Sequence, residues 1–340
     1  MTGAVKHNQQ GPRYVPDSEN KQTETDYEQV VGDLSKASVH RGFDPYIDID
    51  WDAPEMEIVL GDPRWILDYE VDPIGRHPWY QSLPEDKQIE IGMWRQANVA
   101  KVGLQFESVL IRGLTQYSFK LRNGDIRFRY TTHESKEECN HTLMFQELIN
   151  RIGMDVPGAK LGHRLASPFV PLVSTVFPSL FFIGVLGGEE PIDHLQKEFL
   201  RAGGDLHPAM AAVMQLHVAE EARHISFAHN HLRHYVPRKN RFQRFVLSLM
   251  FPIVMRVLAG AIMVPPRQFR TLFDVPDEVF HEIFFRSSDS QRVLRNVFGD
   301  VRMLAEQCGL INPAARAMWR VMRIDGRSSR FRSEPIYPTT

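Results

Sequence analysis

Residues 215–227 read QLHVAEEARHISF, and the spacing within this stretch decides how the rest of the chain is read. Pro208 stands at its start, a residue favoured in the first turn of a helix. At about 100° per residue, His217, Glu221 and His224 fall within about 60° of one another, so three metal-binding side chains share one stripe. Packing alone would give the core to Met210, Val213, Met214, Ile225 and Phe227 and leave the polar residues to solvent. Yet Val213, Leu216, Val218 and Ile225 lie close beside the three, and two imidazoles flanking a carboxylate in apolar surroundings need a counter-charge. A bound cation supplies one.

A second stretch, residues 133–145, reads HESKEECNHTLMF and places Glu138 and His141 three residues apart, with Phe145 and Leu148 continuing the same face. Carboxylate-bridged di-iron bundles take such a Glu-x-x-His pair from each of two helices and one further Glu from each of two others. One pair is weak evidence, because charged helices produce it by chance and Glu134 and Glu137 are spare acids here. Two pairs, one extended to HxxxExxH, form a specific constellation. The further carboxylates can be sought. Glu107 interrupts the apolar stripe Ala100, Gly103, Leu104, Leu110, Ile111 and Leu114, which is costly unless it meets a cation. For the fourth helix, Glu189 and Glu190 end an uncharged segment side by side, and periodicity does not choose between them.

The order Glu107, Glu138xxHis141, Glu190, His217xxxGlu221xxHis224 resembles the AurF family of di-iron N-oxygenases across most of residues 85–235. In that family the fourth-helix Glu precedes HxxxExxH by the interval between Glu190 and His217, so the resemblance favours Glu190 over Glu189. It implies that Glu138 and Glu221 bridge two iron ions, that Glu107 and His141 complete one, and that Glu190, His217 and His224 complete the other. It also implies a ferritin-like four-helix bundle core with additional helices, O2 as co-substrate and a small (aryl)amine oxidised toward hydroxylamine or nitro. Carboxylates and imidazoles suit iron. A related reading keeps the site but hydroxylates carbon, and a ferroxidase or iron-storage role is disfavoured by chain length and the third histidine. Without a reductase-like motif, electrons are expected from a separate reductase or ferredoxin.

Composition narrows the field. With 340 residues, 43% hydrophobic and 24% charged, the chain can bury a large core. Forty basic against 42 acidic residues, a net charge of -2, leave no footprint for nucleic acid. Two cysteines, Cys139 and Cys308, fit a reducing cytosol, and the polar start carries no secretory signal, so a cytoplasmic location is expected. Residues 165–188 carry no charge and are nominally long enough to span a membrane. Pro168, Pro171 and Pro178 break that stretch, and Glu189 and Glu190 follow without a basic flank, so a buried core helix is expected and no membrane. A second apolar run, 245–265, is interrupted by Arg256 and would serve as a core wall or as the interface of a homodimer, a state common in the family resembled.

Residues 1–40 and 326–340 are polar and expected to be loosely ordered, leaving 41–325 as one helical domain. Helices are predicted over 84–121, 131–152, 171–202, 208–235, 241–263 and 289–308, with a turn at 122–125. Gly103 and Ala100, one and two turns before Glu107, leave space that suits a bulky or neutral substrate, unless Arg95, Lys101 or Arg112 reaches in. Phe106, Phe145, Phe181 and Phe182 read as packing. His229, His231 and His234 read as ligands of the last helix carbonyls, and His194 as a ring satisfied locally.

Overall fold

The computed structural model describes residues 23–203 and 205–334, and among these the chain is all-α with no strand. Its helices are α1 (Glu24–His40), α2 (Pro78–Gln81), α3 (Glu85–Ser118), α4 (Ile126–Ile152), α5 (Leu161–Ala166), α6 (Val170–Val176), α7 (Pro178–Ala202), α8 (Pro208–Tyr235), α9 (Arg241–Met263), α10 (Arg267–Leu272), α11 (Asp277–His281), α12 (Ser288–Asn296), α13 (Gly299–Gln307) and α14 (Pro313–Val321). Helix α3 packs on α4 and α7, and α8 on α4 and α7, which makes a ferritin-like four-helix core. Helices α1, α9, α13 and α14 lie around it.

Local chemistry sets the helix ends. Asp125 accepts a hydrogen bond from the Arg127 N–H and opens α4, and Gly153, at φ 72°, closes it. That cap starts α4 five residues before the position expected from periodicity. The ring of His207 caps α8 through the Ala209 N–H, with Pro208 in the first turn. Gly203, at φ 63°, ends α7. Gly92 is required by tertiary structure, because a Cβ there would stand 1.8 Å from the Trp65 carbonyl oxygen where α3 passes the preceding loop.

Four expectations are corrected. Within the N-terminal segment expected to be loose, Glu24–His40 forms a helix that buries Tyr27 and Val31 against α4 and α8; residues 1–22 lie outside the described residues. In the C-terminal tail, the Ser329 and Ser333 N–H groups bond to the Gly299 carbonyl and the Asp300 carboxylate, so this part packs on α13, whereas 335–340 lie outside the description. The uncharged stretch 165–188 is no single helix. Its first half forms α5 and α6 on the surface, with Leu165, Phe169, Leu172, Val176 and Phe177 exposed. The helix expected over 289–308 is broken into α12 and α13. Among the described residues, Arg241–Leu272 is the one segment long and apolar enough to cross a membrane, and 39% of its most apolar window is buried, consistent with its packing on α7 and α14.

Two apolar clusters fill the bundle. One gathers Leu110, Leu114, Phe182, Leu186, Phe227 and Phe251, the other Trp94, Ala97, Phe145, Leu148, Val213 and Met214. Helices α3, α4 and α8 contribute to both, and between the two contributions α3 carries Glu107, α4 carries Glu138 and His141, and α8 carries His217, Glu221 and His224. A polar layer therefore lies sandwiched between two dry ones.

Candidate metal centre

Glu107 on α3, Glu138 and His141 on α4, Glu189 on α7, and His217, Glu221 and His224 on α8 converge in that layer. Glu189 is 4% exposed and the others 1% or less, so no charge here is relieved by water. The ligand atoms form three overlapping groups, each with its members within 4.8 Å of one another: Glu107, His141, His217 and Glu221; Glu138, His141, Glu221 and His224; and Glu107, Glu138 and Glu189. Among the described residues, both oxygens of Glu107, Oε2 of Glu189, Oε2 of Glu221 and Nε2 of His217 lack a hydrogen-bond partner. Buried polar atoms are rarely left so. This donor set fits a pair of cations.

The histidines are oriented from outside the cluster. His217 Nδ1 lies 2.9 Å from Gln196 Oε1; donation to that oxygen leaves Nε2 free to face Glu107 at 3.6 Å and Glu221 at 3.5 Å. The other two are held by a reciprocal pair. His141 Nε2 meets Glu220 Oε2 at 3.1 Å and its Nδ1 turns to Glu138 at 2.9 Å. His224 Nε2 meets Glu137 Oε2 at 2.7 Å and its Nδ1 turns to Glu138 at 2.8 Å. Each ExxH is thus an EExxH, and the first Glu of each copy grips the imidazole of the other. Arg223 Nη2 lies 3.1 Å from both Glu137 and Glu220 and offsets one of their two charges. Such partners fix ring orientation and raise ligand basicity. Sequence reading took Glu137 for a spare acid and passed over Glu220, although the doubled Glu before both x-x-His segments was the signal.

Burial opposes charge on every group here, and neighbours decide the outcome. Burial, with the charges of Glu138 and Glu221, holds the Glu107 carboxyl well above its ordinary range, and burial with Glu107 does the same to Glu189. Burial also raises Glu134, which lies one turn before Glu138 on α4 with neither oxygen hydrogen-bonded. Against burial, His224 and His141 pull Glu138 well below the carboxylate range, and His224 helps bring Glu221 to about 2. Against burial again, Glu138 and Glu220 lift His141 to about 10. Burial drops His217 to about 4, leaving a neutral ring at physiological pH.

Two side chains sit differently from the arrangement that the resemblance implies. Glu190 does not join this cluster; its carboxylate bonds to His229 Nε2 at 2.6 Å, and Glu189 takes the position facing Glu107 and Glu138. Both faces of α7 are buried, so hydrophobicity could not separate the two. His217, which the resemblance groups with His224 on one iron, stands beside Glu107 and His141 in this arrangement, its ring 4.6 Å from that of His141. Of the other histidines, His231 packs among Phe182, Phe227 and Tyr235, and His234 stacks on Tyr27 and meets Glu24 at 3.0 Å, so neither serves the helix end as expected.

A cavity of about 80 Å³ lies behind Phe145 and Gln196, the two residues that contact His217 from this side, and is lined further by Gly103, Ala100, Val213 and Met214 and by Arg95 and Asp72. Phe145 stands 5.1 Å from the His217 ring, while Phe181 and Phe182 are core. Arg95 does reach in, with Nε 3.6 Å from Asp72, whereas Lys101 bonds to Gln146 and Arg112 to the Ser108 carbonyl.

Comparison with known proteins agrees with this picture. Two relatives are 58% identical to the chain over 312 residues, covering 92% of it and 92% of their own length: the uncharacterized protein Mb0909 of Mycobacterium bovis (strain ATCC BAA-935 / AF2122/97) and the uncharacterized protein Rv0885 of Mycobacterium tuberculosis (strain ATCC 25618 / H37Rv). Residues 24–309 match the family described as P-aminobenzoate N-oxygenase AurF, a span holding every residue of the cluster, and the chain therefore belongs to the AurF family.

Proposed function

We propose that this protein is a di-iron oxygenase that oxidises an amino group of a small, largely apolar amine, with Glu107, Glu138, Glu189, Glu221, His141, His217 and His224 as the iron ligands. The observation that carries the reading is the convergence of these seven buried side chains with their unpartnered oxygens in one layer of the bundle. Family membership supports it. Oxidation of an amine to a hydroxylamine consumes O2, two electrons and two protons and releases water, so an external donor, a reductase or ferredoxin, is part of the proposal. Two iron ions bound here would supply the O2 chemistry.

The chain's own residues do the remaining work. Carboxylates from four different helices hold the layer rigidly, and Glu137, Glu220 and Gln196 keep three imidazole nitrogens aimed inward. Apolar walls at Phe145, Val213 and Met214 exclude water from the side on which the cavity opens. Gly103 leaves room beside the cluster, since a Cβ there would already stand 3.0 Å from the Phe145 ring. Arg95 lines the cavity 3.6 Å from Asp72, with Nε and Nη1 left without a hydrogen-bond partner among the described residues, so an otherwise apolar amine that carries an acceptor would meet a donor there.

The test is iron content of the purified protein followed by single-turnover reaction of its reduced form with O2 and a set of aryl and alkyl amines. Two irons per chain and a hydroxylamine or nitro product support the proposal. Two irons with oxidation at carbon would transfer the site to hydroxylation, iron oxidation without any organic product would make it a ferroxidase, and folded protein taking up no iron would refute the assignment.

A further inference from the structure

On its other face α7 turns a second set of polar groups toward α8 and α13. Glu190 and His194 stand one turn apart on α7, His229 lies on α8, and Asp300 lies in the first turn of α13. None is more than 2% exposed. Their contacts are of two kinds. Glu190 Oε1 and His229 Nε2 make a short hydrogen bond of 2.6 Å. His194 makes none: its Nε2 is 3.6 Å from Asp300 Oδ2 and 3.8 Å from Glu190 Oε2, and neither ring nitrogen has a hydrogen-bond partner among the described residues. Asp300 Oδ1 is also unpartnered, while Oδ2 accepts the Ser333 N–H at 2.6 Å. Lys197, the cation on this stretch of α7, is held by Asp193 at 2.6 Å.

These separations discriminate between a hydrogen bond and shared coordination. Donor and acceptor in a hydrogen bond lie about 2.9 Å apart. Two ligand atoms each about 2.1 Å from one tetrahedral cation lie roughly 3.4 Å apart. The Glu190, His194 and Asp300 atoms lie within 4.8 Å of one another, with the imidazole nitrogen at the longer kind of distance from both carboxylates. We propose that Glu190, His194 and Asp300 bind a divalent first-row transition ion, apart from the cluster described above, with His229 fixing the Glu190 carboxylate. One imidazole and two carboxylates suit Mn(II), Fe(II) or Zn(II). The ion neutralises two buried carboxylates and ties α13, with the segment at Ser329 and Ser333 that packs on it, to α7 beside Glu189. Its role is that of a staple.

Zinc alone serves as the probe. Metal-depleted full-length protein is loaded with Zn(II) and desalted, and zinc per chain is counted in wild type, His194→Ala and Asp300→Asn, with circular dichroism to establish folding. Wild type is expected to hold one ion more than either variant, and zinc to raise the thermal midpoint of wild type more than that of the variants. The comparison is a difference, so it does not depend on how many ions the main cluster takes. An anomalous difference map of zinc-loaded wild-type crystals gives a second readout without any substitution: a peak between His194 and Asp300 is expected. Equal zinc in all three proteins, or a map with no peak there, would overturn the proposal and leave an imidazolium held between two carboxylates.

Discussion

The pair Glu189→Gln and Glu190→Gln separates the two carboxylates that sequence could not. Both substitutions preserve shape and remove one charge. Glu189 faces Glu107 and Glu138, its Oε2 is unpartnered, and burial holds it as a neutral acid without metal, so its amide should change metal-free stability by less than about 1 kcal/mol. As a direct ligand its loss should exceed the 10–100-fold that partners of ligands contribute, which is roughly 2.7 kcal/mol or more of binding free energy. Glu190 reverses the pattern. Its bond to His229, 2.6 Å long, would pass from charge-assisted to neutral, at about half the strength, costing about 1 kcal/mol. That is a thermal midpoint lower by roughly 2 °C, with both irons of the main cluster retained. Iron per chain after anaerobic loading and desalting, together with the midpoint of the metal-free protein, reads both effects. Two irons lost from Glu190→Gln, more than the one ion that Glu190, His194 and Asp300 would share, with both kept by Glu189→Gln, would show that the register of α7 is wrong and with it the ligand set.

Three further outcomes are expected. Gly92→Ala sets a Cβ 1.8 Å from a backbone oxygen that cannot rotate away, and should destabilise at or above the upper end of the usual 1–3 kcal/mol for overpacking, whereas Gly184→Ala, with open space in the middle of α7, should stabilise by up to about 1 kcal/mol; chemical denaturation compares them. Glu220→Gln weakens the grip on His141 and should lower iron affinity roughly 10–100-fold without touching a ligand, while an unchanged affinity would reduce the crossed Glu–His pairs to packing. Burial pushes the Cys308 thiol up to about 12, so the folded state resists its ionisation; its share of stability is complete below the unfolded value of about 8.5 and is lost as pH rises toward 12. A thiol reagent at pH 8 should therefore label exposed Cys139 and spare Cys308 until the chain unfolds.

Much of the bundle was legible because helix period and ligand spacing coincide. α8 and α9 fall on the predicted bounds, and the stripe on α8 pointed to His217, Glu221 and His224 with no tertiary information. Glu107 was legible for the same reason, as one acid on an apolar stripe. What failed depended on which neighbour a face meets. α7 is buried on two sides, one against the metal layer and one against α8 and α13, so adjacent acids are equally concealed, and only the tertiary partners, carboxylates for Glu189 and the His229 imidazole for Glu190, tell them apart. Glu137 and Glu220 were passed over because their partners lie on the other motif's helix. α1 was missed because its apolar residues, Tyr27, Val31 and partly buried Leu34, are few among acids, and only the faces of α4 and α8 make them a core.

The charges of the layer also predict what metal uptake must displace. Without metal, burial and like charge keep Glu107 and Glu189 protonated, while Glu138 and Glu221 remain ionised beside His141, held near 10, and His224, held well above its ordinary value. The site is thus closed on itself by protons, which explains how so many carboxylates can share one dry layer in a folded chain. A ligand nitrogen must give up its proton before it can coordinate, so on the proposed ligand set loading displaces protons from Glu107, Glu189, His141 and His224. His217, at about 4, has none to give at neutral pH. Metal affinity should accordingly rise with pH up to about 10, where His141 gives up its proton, and ferrous or zinc ion added to weakly buffered, metal-free protein should acidify the solution. His217→Ala should weaken binding while leaving the protons released per ion bound unchanged, whereas His141→Ala should lower that number. Uptake with no proton release would mean that the layer holds its charges in some other way, and would remove the physical basis for placing the cations among these seven side chains.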